Sequence, residues 1–522
     1  MLVIVRVHGV PVGYVHVPVT SSGALKRRLA EVIVREHGTG IARRLLRRAL
    51  DARLPTERVR ADALLDAWPE EHGRLPTMTV AVCTHDRTEL LRHCLRALAD
   101  VDYPDLDVVV VDNAPSSDAT ERLVTSTFPR VRYVREARPG LNWARTRAVL
   151  ESRGEVVAFT DDDAMPEPGW LRAVGAVFVQ NPEAMGVTGL VVPFELQTPA
   201  QVMFERYGGF GRGFERRWLR VPRVERRRAA LRYGNTGRFG TGTNMAFRRR
   251  IFDRIGYFDP ALDVGTATEG GGDLEMFFRL LKGGYTLVYE PAATVRHRHR
   301  RTYDELRDQI ASWGSGMGAH VLRSMEEYRD ERLPFAAMGT WLGATWFARR
   351  LVASIARQPF PRELLLSEIR GLASAMHRYP LARAAARRIA SEHGALAPEP
   401  MREHTPAHAR PRRVESPVRR VDLAEPLRPL DDDAEHAGVR ALVTHRTRIV
   451  GSVHVSTDGQ PVGVTHLGDA IAGKLLDEWS HIAHGRTVAS MRDELPGAIA
   501  QRLERSHGPI HTPARARDAA AF

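Results

Sequence analysis

The chain has 522 residues, 43% hydrophobic and 27% charged, enough for about three domains with sizeable cores, which excludes a wholly disordered, collagenous or coiled-coil protein. Its net charge is +13, yet only three of its 76 basic residues are lysine, a ratio that reflects composition as much as function. Its two cysteines, Cys83 and Cys94, are too few for a disulfide framework or a cysteine zinc site and point to a reducing cytosol. The opening MLVIVRVHGV has neither a basic n-region nor a small-residue cleavage site, so no signal peptide is expected. No membrane span is expected either, because the longest apolar run, Phe335–Ala348, is short and ends at Arg349-Arg350.

In chain order, the first feature has a counterpart at the far end. Val12, Gly13, Val15, His16 and Val17 match Val450, Gly451, Val453, His454 and Val455, and each set precedes a helix-like segment (Ala24–Val34; Leu467–Ile482). This predicts a duplicated hairpin-and-helix module, with His16 and His454 as strand residues rather than metal ligands. An arginine-rich helical stretch, Ile41–Glu71, gives way at Leu75-Pro76 to alternating strands and helices. Thr79–Cys83, Leu106–Val111, Val131–Val134 and Val156–Thr160 read as strands, the second and fourth as buried parallel-sheet strands. Glu89–Ala99, Ser117–Thr125 and Trp143–Arg153 read as the helices between them, so the fold class is α/β, a doubly wound mixed sheet. Helices follow at Arg301–His320, Val321–Arg332, Phe335–Arg357 and Arg362–Ile389. Ala397–Leu430 holds seven prolines and reads as a flexible linker. The expected domains are 1–40, a hairpin-and-helix module; 41–75, a basic connector; 76–300, the α/β domain; 301–395, helices; 396–436, linker; 437–485, the second module; and 486–522, a C-terminal helix and tail.

The chemistry concentrates at strand ends, where open α/β sheets bind ligands. Asp161-Asp162-Asp163 follows the strand Val156–Thr160; three adjacent carboxylates repel and need a cation, and oxygen ligands suit Mg²⁺ or Mn²⁺. The same tripeptide recurs at Asp431-Asp432-Asp433 inside the proline-rich segment with no strand before it, and is read there as solvated. Asp112 and Asn113 end the second strand, where a carboxylate orients a ribose or base. No Gly-x-Gly-x-x-Gly and no Gly-Lys-Ser/Thr follows the first strand, which disfavours a dinucleotide fold or a P-loop.

Taken together, Thr79–Arg87, Val110-Val-Asp-Asn113, Arg138-Pro-Gly-Leu-Asn-Trp-Ala-Arg145, Phe159-Thr-Asp-Asp-Asp163, Gly240-Thr-Gly-Thr-Asn244, Gly272-Asp-Leu-Glu-Met276 and Val295-Arg-His297 resemble a family 2 glycosyltransferase of the GT-A fold, in its rhamnosyl- and galactosyltransferase-like branch. The resemblance covers roughly residues 76–320. It implies a nucleoside-diphosphate sugar donor, a hydroxyl acceptor (glycan, lipid-linked or small-molecule), a divalent metal and inversion at the anomeric carbon. It implies that Thr84, Arg87, Asp112 and Asn113 hold the nucleoside, that Asp161–Asp163 form an Asp-x-Asp motif with Asp163 as the chief metal ligand, and that His297 completes the metal or diphosphate site. Arg145 would pair with diphosphate. Thr243 and Asn244 would line the donor and acceptor pocket. Asp273 matches the catalytic base, which takes the acceptor hydroxyl proton. The family usually has Glu-Asp where this chain has Gly272-Asp273, so Glu275 or Glu269 is expected to supply the second carboxylate.

Gln309-Ile-Ala-Ser312-Trp313 only partly resembles the Gln-x-x-Arg-Trp motif of processive synthases, so single-sugar transfer is expected. Glu205–Arg232 carries ten arginines with Phe210, Phe214 and Trp218 interleaved. Its two readings are a solvated arginine loop and contact with anionic lipid, which would place a cytoplasmic protein on the inner face of a membrane; no nucleic-acid motif accompanies it. The alternatives to a glycosyltransferase are a nucleotidyltransferase and a non-catalytic nucleotide-sugar-binding scaffold.

Overall fold

The computed structural model describes residues 2–16, 24–52, 54, 58–66, 73–356, 361–396, 416–430, 436, 438–457 and 461–505. In chain order the elements are β1 (Leu2–Val7), β2 (Val10–His16), α1 (Ala24–Ala52), α2 (Ala61–Asp66), β3 (Met78–Thr84), α3 (Thr88–Ala99), β4 (Leu106–Asn113), α4 (Ala119–Thr127), β5 (Val131–Glu136), α5 (Leu141–Glu151), β6 (Val156–Asp161), β7 (Ala164–Pro166), α6 (Trp170–Gln180), β8 (Ala184–Pro193), α7 (Pro199–Tyr207), β9 (Arg217–Leu219), α8 (Ala230–Tyr233), β10 (Met245–Arg248), α9 (Phe252–Ile255), α10 (Gly272–Lys282), β11 (Thr286–His297), α11 (Tyr303–Glu327), α12 (Arg332–Leu342), α13 (Ala348–Ala356), α14 (Arg362–His393), β12 (Val418–Asp422), β13 (Gly438–His445), β14 (Arg448–Ser456), α15 (Val464–His484) and α16 (Val488–Arg505). They form two compact units, one built from Gly73–Arg212 and Arg216–Ala407, the other from Met1–His72, Gly213–Glu215 and His408–Phe522.

The larger unit is a mixed α/β domain around a nine-stranded sheet of order β5-β4-β3-β6-β10-β8-β11-β7, with β9 pairing β11. Strands β5, β4, β3 and β6 are parallel, and β10 runs antiparallel between β6 and β8. The parallel strands are apolar because both faces are covered. One face packs on α3 and α6, through Leu91, Cys94, Leu95, Trp170, Leu171 and Phe178. The other packs on α5 and α10, through Ala144, Ala148, Met276, Phe277 and Phe278. Helix α3 buries Leu91, Cys94, Leu95 and Leu98, the 3.6-residue stripe of its sequence. Capping boxes start α7 (Thr198 with Gln201) and α11 (Thr302 with Glu305).

Two helical expectations change. Of the residues expected as two helices, 301–320 and 321–332, 303–327 form the single helix α11, because nothing between His320 and Val321 breaks it, and a 3-10 turn at 329–331 follows. The helix expected over 335–357 is instead α12, a π-helical turn at Gly343–Phe347, and α13.

In the smaller unit, β1 and β2 pair antiparallel, as do β13 and β14. Both hairpins slip register at the same point, after the pairs Val5↔Gly13 and Val443↔Gly451. A Cβ on Gly13 would strike the His37 ring, and one on Gly451 would strike Leu475, which lies the same number of residues further on. His16 and His454 are exposed strand residues. The two modules share one core, in which Val5, Val15, Leu29 and Leu45 join Ala441, Val453, Ile471 and Met491. Residues 418–422, expected within a flexible linker, are strand β12, which pairs parallel to β13 and places Val421 against that core. The Asp431-Asp432-Asp433 control lies outside the described residues.

Candidate active site

Register alone brings three predicted side chains to one edge. Cys83 pairs with Asp161, and Thr84 with Asp112, so the carboxyl ends of β4, β3 and β6 lie side by side. Antiparallel β10 then delivers Thr243, two residues before its start, to Asp161, whose carboxylate accepts the Thr243 hydroxyl. Strand β11 ends at His297, paired with Ala164 immediately after the acidic triple. The His297 Nε2 therefore stands 3.2 Å from Asp163 Oδ1. One ligand atom each from Asp161, Asp163 and His297 falls within 4.8 Å of the others, a donor set that fits a divalent cation.

Arg87, in the turn after β3, bridges the triple. Its Nη1 donates to Asp162 Oδ1 at 2.6 Å and its Nη2 to Asp163 Oδ2 at 2.8 Å. The Thr84 hydroxyl donates to Asp162 Oδ2 at 2.7 Å. Burial pushes Asp162 up to about 7 despite Arg87, and raises Asp161 too. Burial works the same way on Asp163, but His297 and Arg87 outweigh it and hold that carboxyl well below the usual range. On the next strand, Asp112 accepts the Tyr133 hydroxyl at 3.0 Å through Oδ2. Its Oδ1 is buried without a hydrogen-bond partner, an unusual state for a carboxylate oxygen.

A second pole lies at the start of α10. Asp273 Oδ2 accepts the Gly242 N–H at 2.7 Å, and Oδ1 accepts its own helix's Leu274 N–H at 2.8 Å. Gly242 and Thr243 are adjacent, so two consecutive residues tie Asp273 to Asp161. Burial, with the Asp263 carboxylate adding to it, pushes Asp273 up to about 6 against the pull of Arg145. Arg145 is 4% exposed; its Nη1 donates to Asp263 and, at 3.2 Å, to Asn142 Oδ1.

Several residues singled out from the sequence have structural partners here. Glu275 turns into the hydrophobic core and is ion-paired with Arg279, one helical turn on, a structural pairing. Glu269, the other acid considered, accepts from Ser312 and pairs with half-buried Arg378. Asn244 is an internal strut rather than a pocket lining: its amide donates to Leu190 O and Ala293 O and accepts from Trp170 Nε1. Asn113 likewise holds the 138–140 turn, donating to Arg138 O at 2.7 Å and accepting from Gly140 N at 2.9 Å. Of the arginines of 205–232, Arg216 pairs with Glu290 and Arg212 and Arg217 donate to backbone carbonyls, while Arg206, Arg227, Arg228 and Arg232 are exposed.

Other residues at the site escaped the sequence reading. His299 contacts His297 at 3.1 Å and Glu205 at 2.8 Å. The i, i+2 spacing of the two histidines at a strand end was the available signal. Phe210 packs edge-on to His297 and against Trp313, which places the Gln309–Trp313 segment beside the site. Asn142 lies within the Arg138–Arg145 motif but had no role assigned, and Asp263 carries no local motif; both are visible only through Arg145.

A mixed sheet with this acidic turn and a helix-start carboxylate is the arrangement that the resemblance to a glycosyltransferase implied. Residues 79–256 match the profile of Glycosyl transferase family 2. Among curated proteins it is similar to a probable glycosyltransferase, YdaM, of Bacillus subtilis: 23% identical over 278 residues, covering 50% of this chain and 60% of that protein. It is also 24% identical over 246 residues to a glucosyl-dolichyl phosphate glucuronosyltransferase of Haloferax volcanii, covering 44% of this chain and 72% of that one. Polypeptide N-acetylgalactosaminyltransferase 13 of Homo sapiens is 27% identical over 267 residues, 48% of this chain and 46% of the relative. The match to the first of these thus spans under two thirds of that relative's length. A solved mannosyltransferase of Pyrobaculum calidifontis, in complex with GDP-Man and Mn²⁺, aligns over 71% of this chain and 88% of its own, at 20% identity and a TM-score of 0.34.

Proposed function

We propose that this protein is an inverting glycosyltransferase that moves a single sugar from a nucleoside-diphosphate sugar to a hydroxyl acceptor. The observation that carries the reading is the pairing of poles through Gly242 and Thr243: a helix-start carboxylate on one side, a divalent-cation donor set on the other. Asp273 takes the acceptor hydroxyl proton on Oδ1 or Oδ2 as the anomeric carbon is attacked, and its position at the N-terminus of α10 favours the ionised form it needs. Arg145 balances the carboxylates around it. Asp161, Asp163 and His297 would hold Mg²⁺ or Mn²⁺, which supplies charge stabilisation for a departing diphosphate. The buried, unpartnered Asp112 Oδ1 suits a hydroxyl or ring N–H of the nucleoside. A nucleotidyltransferase is the weaker reading, because the turn after β3, His85-Asp86-Arg87, has no glycine to cradle phosphates.

The test is Asp273→Asn assayed against a panel of UDP-, GDP- and dTDP-sugars with Mn²⁺. Transfer and donor hydrolysis should fall by about 10³-fold or more while nucleoside diphosphate binding is kept. A variant that turns over at the native rate sinks the reading.

One observation favours an acceptor presented at a membrane. Helices α12 and α13 expose Leu333, Trp341, Leu351 and Val352 at 83%, 60%, 45% and 63%, with Arg332 and Arg349 also exposed. Apolar side chains flanked by arginine and tryptophan match an anionic lipid surface, and one relative is named for a dolichyl phosphate substrate. No described helix is long and apolar enough to cross a membrane. The protein should pellet with phosphatidylglycerol vesicles, and Trp341→Ser with Leu351→Ser should release it; equal pelleting of that variant, or none of the native chain, removes this reading.

A further inference from the structure

Gly272 sits at a point where almost nothing else fits. A Cβ built on it would lie 2.3 Å from Asn142 Nδ2 and 2.5 Å from Asp263 Oδ2. The space beside the helix start is filled by the Asp263 carboxylate, which enters from the loop before α10 rather than from α10 itself. Asp263 is 6% exposed and non-glycine, yet its φ is +81°, a backbone conformation that costs an L-residue free energy. The strained backbone aims the carboxylate inward: Oδ2 accepts from Arg145 Nη1, while Oδ1 accepts the Val264 N–H at 3.0 Å. Arg145 in turn is held by Asn142, whose own amide donates to Asp259 O at 2.8 Å. On the far side, a Cβ on Gly242 would lie 2.5 Å from Arg145 Nη2 and 3.4 Å from Asp273 Oδ2. The guanidinium is therefore wedged between the Asp263 carboxylate and the backbone unit that binds Asp273.

We propose that Asp263 is a positioning residue of the transfer site: it supplies the second carboxylate that α10 lacks, and it fixes Arg145 beside Asp273 and Asp161. Two backbone positions, 263 and 272, converge on one volume, and only one can deliver a carboxylate to Arg145 at a time. In this chain the loop delivers it and Gly272 makes room. A glycine at 263 would relieve the φ of +81°, and a glutamate at 272 could then reach the vacated place.

This rests on Asp273 as the base of the proposed reaction, and the experiment separates the two. Hydrolysis of GDP-mannose and UDP-glucose with Mn²⁺, and thermal melting, are measured for the native chain and for Asp273→Asn, Asp263→Asn, Asp263→Gly, Gly272→Glu and the double variant Asp263→Gly/Gly272→Glu. Each single change at 263 or 272 should lower kcat by about tenfold or more, with a smaller effect on KM. The double variant should recover both kcat and melting midpoint toward native, a rescue that generic loss of packing does not give. Asp263→Asn keeps the shape and the left-handed backbone but removes a negative charge facing Asp273, so the acid limb of its pH–rate profile should move to lower pH. Native kcat in Asp263→Gly, or a double variant no better than the worse single one in both rate and melting, overturns the proposal while leaving Asp273 intact. Native activity in Asp273→Asn overturns the base assignment instead. Should neither sugar nucleotide be hydrolysed, the melting midpoints decide: recovery in the double variant supports the shared volume, and its absence refutes it.

Discussion

A carboxyl pushed up to about 6 is half protonated within a unit of neutrality, and a general base works only when ionised. The Asp273 folded-state value is raised, so the active, ionised fraction falls as pH drops through about 6. The kcat/KM for donor and acceptor should therefore be flat near pH 8 and fall about tenfold per unit well below pH 6, checked by a profile in constant-ionic-strength buffers. At the other pole, Asp163→Asn removes a ligand atom and the ion pairs from Asp163 to Arg87 Nη2 and to His297, while Arg87 keeps its pair with Asp162. The Mn²⁺-dependent rise in melting temperature seen with a nucleoside diphosphate should be lost in Asp163→Asn and His297→Ala, but kept in Asp162→Asn, whose partners are Thr84 and Arg87. At this scale the acidic triple was legible because it follows a buried strand. Asp263 was not, since its meaning lies in a tertiary contact with Arg145 across 118 residues of chain. Glu275 was separable from Asp273 in sequence: two positions along a helix, it cannot share that residue's face.

Between elements, glycine decides how closely α11 and α14 approach. A Cβ on Gly371 would lie 2.0 Å from Ala311 O, and one on Gly314 would lie 2.0 Å from Glu368 O. Gly316 likewise lets α11 touch the backbone of Gly270 and Gly271, the run that leads into Asp273. Gly371→Ala gains about 1 kcal/mol of helix propensity but forces a methyl into a carbonyl oxygen, at a cost of about 1–3 kcal/mol. Overpacking should win, because a backbone carbonyl cannot step aside as a side chain can. We expect a lower melting midpoint and, through Gly270–Gly272, a lower kcat; an unchanged midpoint would show that the helices separate freely. The strands of the α/β domain were legible as continuous apolar runs with the correct period. Strand β12 was not, because Val418-Arg-Arg-Val-Asp422 is arginine-rich and becomes a strand only by pairing with β13. The π-helical turn at Gly343–Phe347 also had no sequence signal beyond its glycine.

At the scale of the whole chain, the ends resemble each other in sequence because they face a common problem: neither can bury its apolar surface alone. A two-stranded hairpin with one helix is marginal in water. Here α1 lends Leu29, Ile33, Ile41, Leu45 and Leu46 to a core completed by Val453, Ile471, Leu475, Trp479, Met491 and Leu495 from beyond residue 438. Burying each such large side chain contributes about 1.5–3 kcal/mol, so losing the α1 contribution removes as much as a small domain's whole stability. Removal of residues 1–72 should therefore unfold the carboxyl-terminal half of the smaller unit, although no bond in that half is cut. The larger unit keeps its own two cores on either face of its sheet. Limited proteolysis of the truncated chain, read by mass spectrometry, should show rapid cleavage throughout 438–505 while 76–393 stays protected and still melts higher with Mn²⁺ and a nucleoside diphosphate. Supplying residues 1–72 in trans should restore protection. Equal protection of 438–505 with and without the amino-terminal segment would mean that each module folds by itself, and the shared core would then be contact without interdependence.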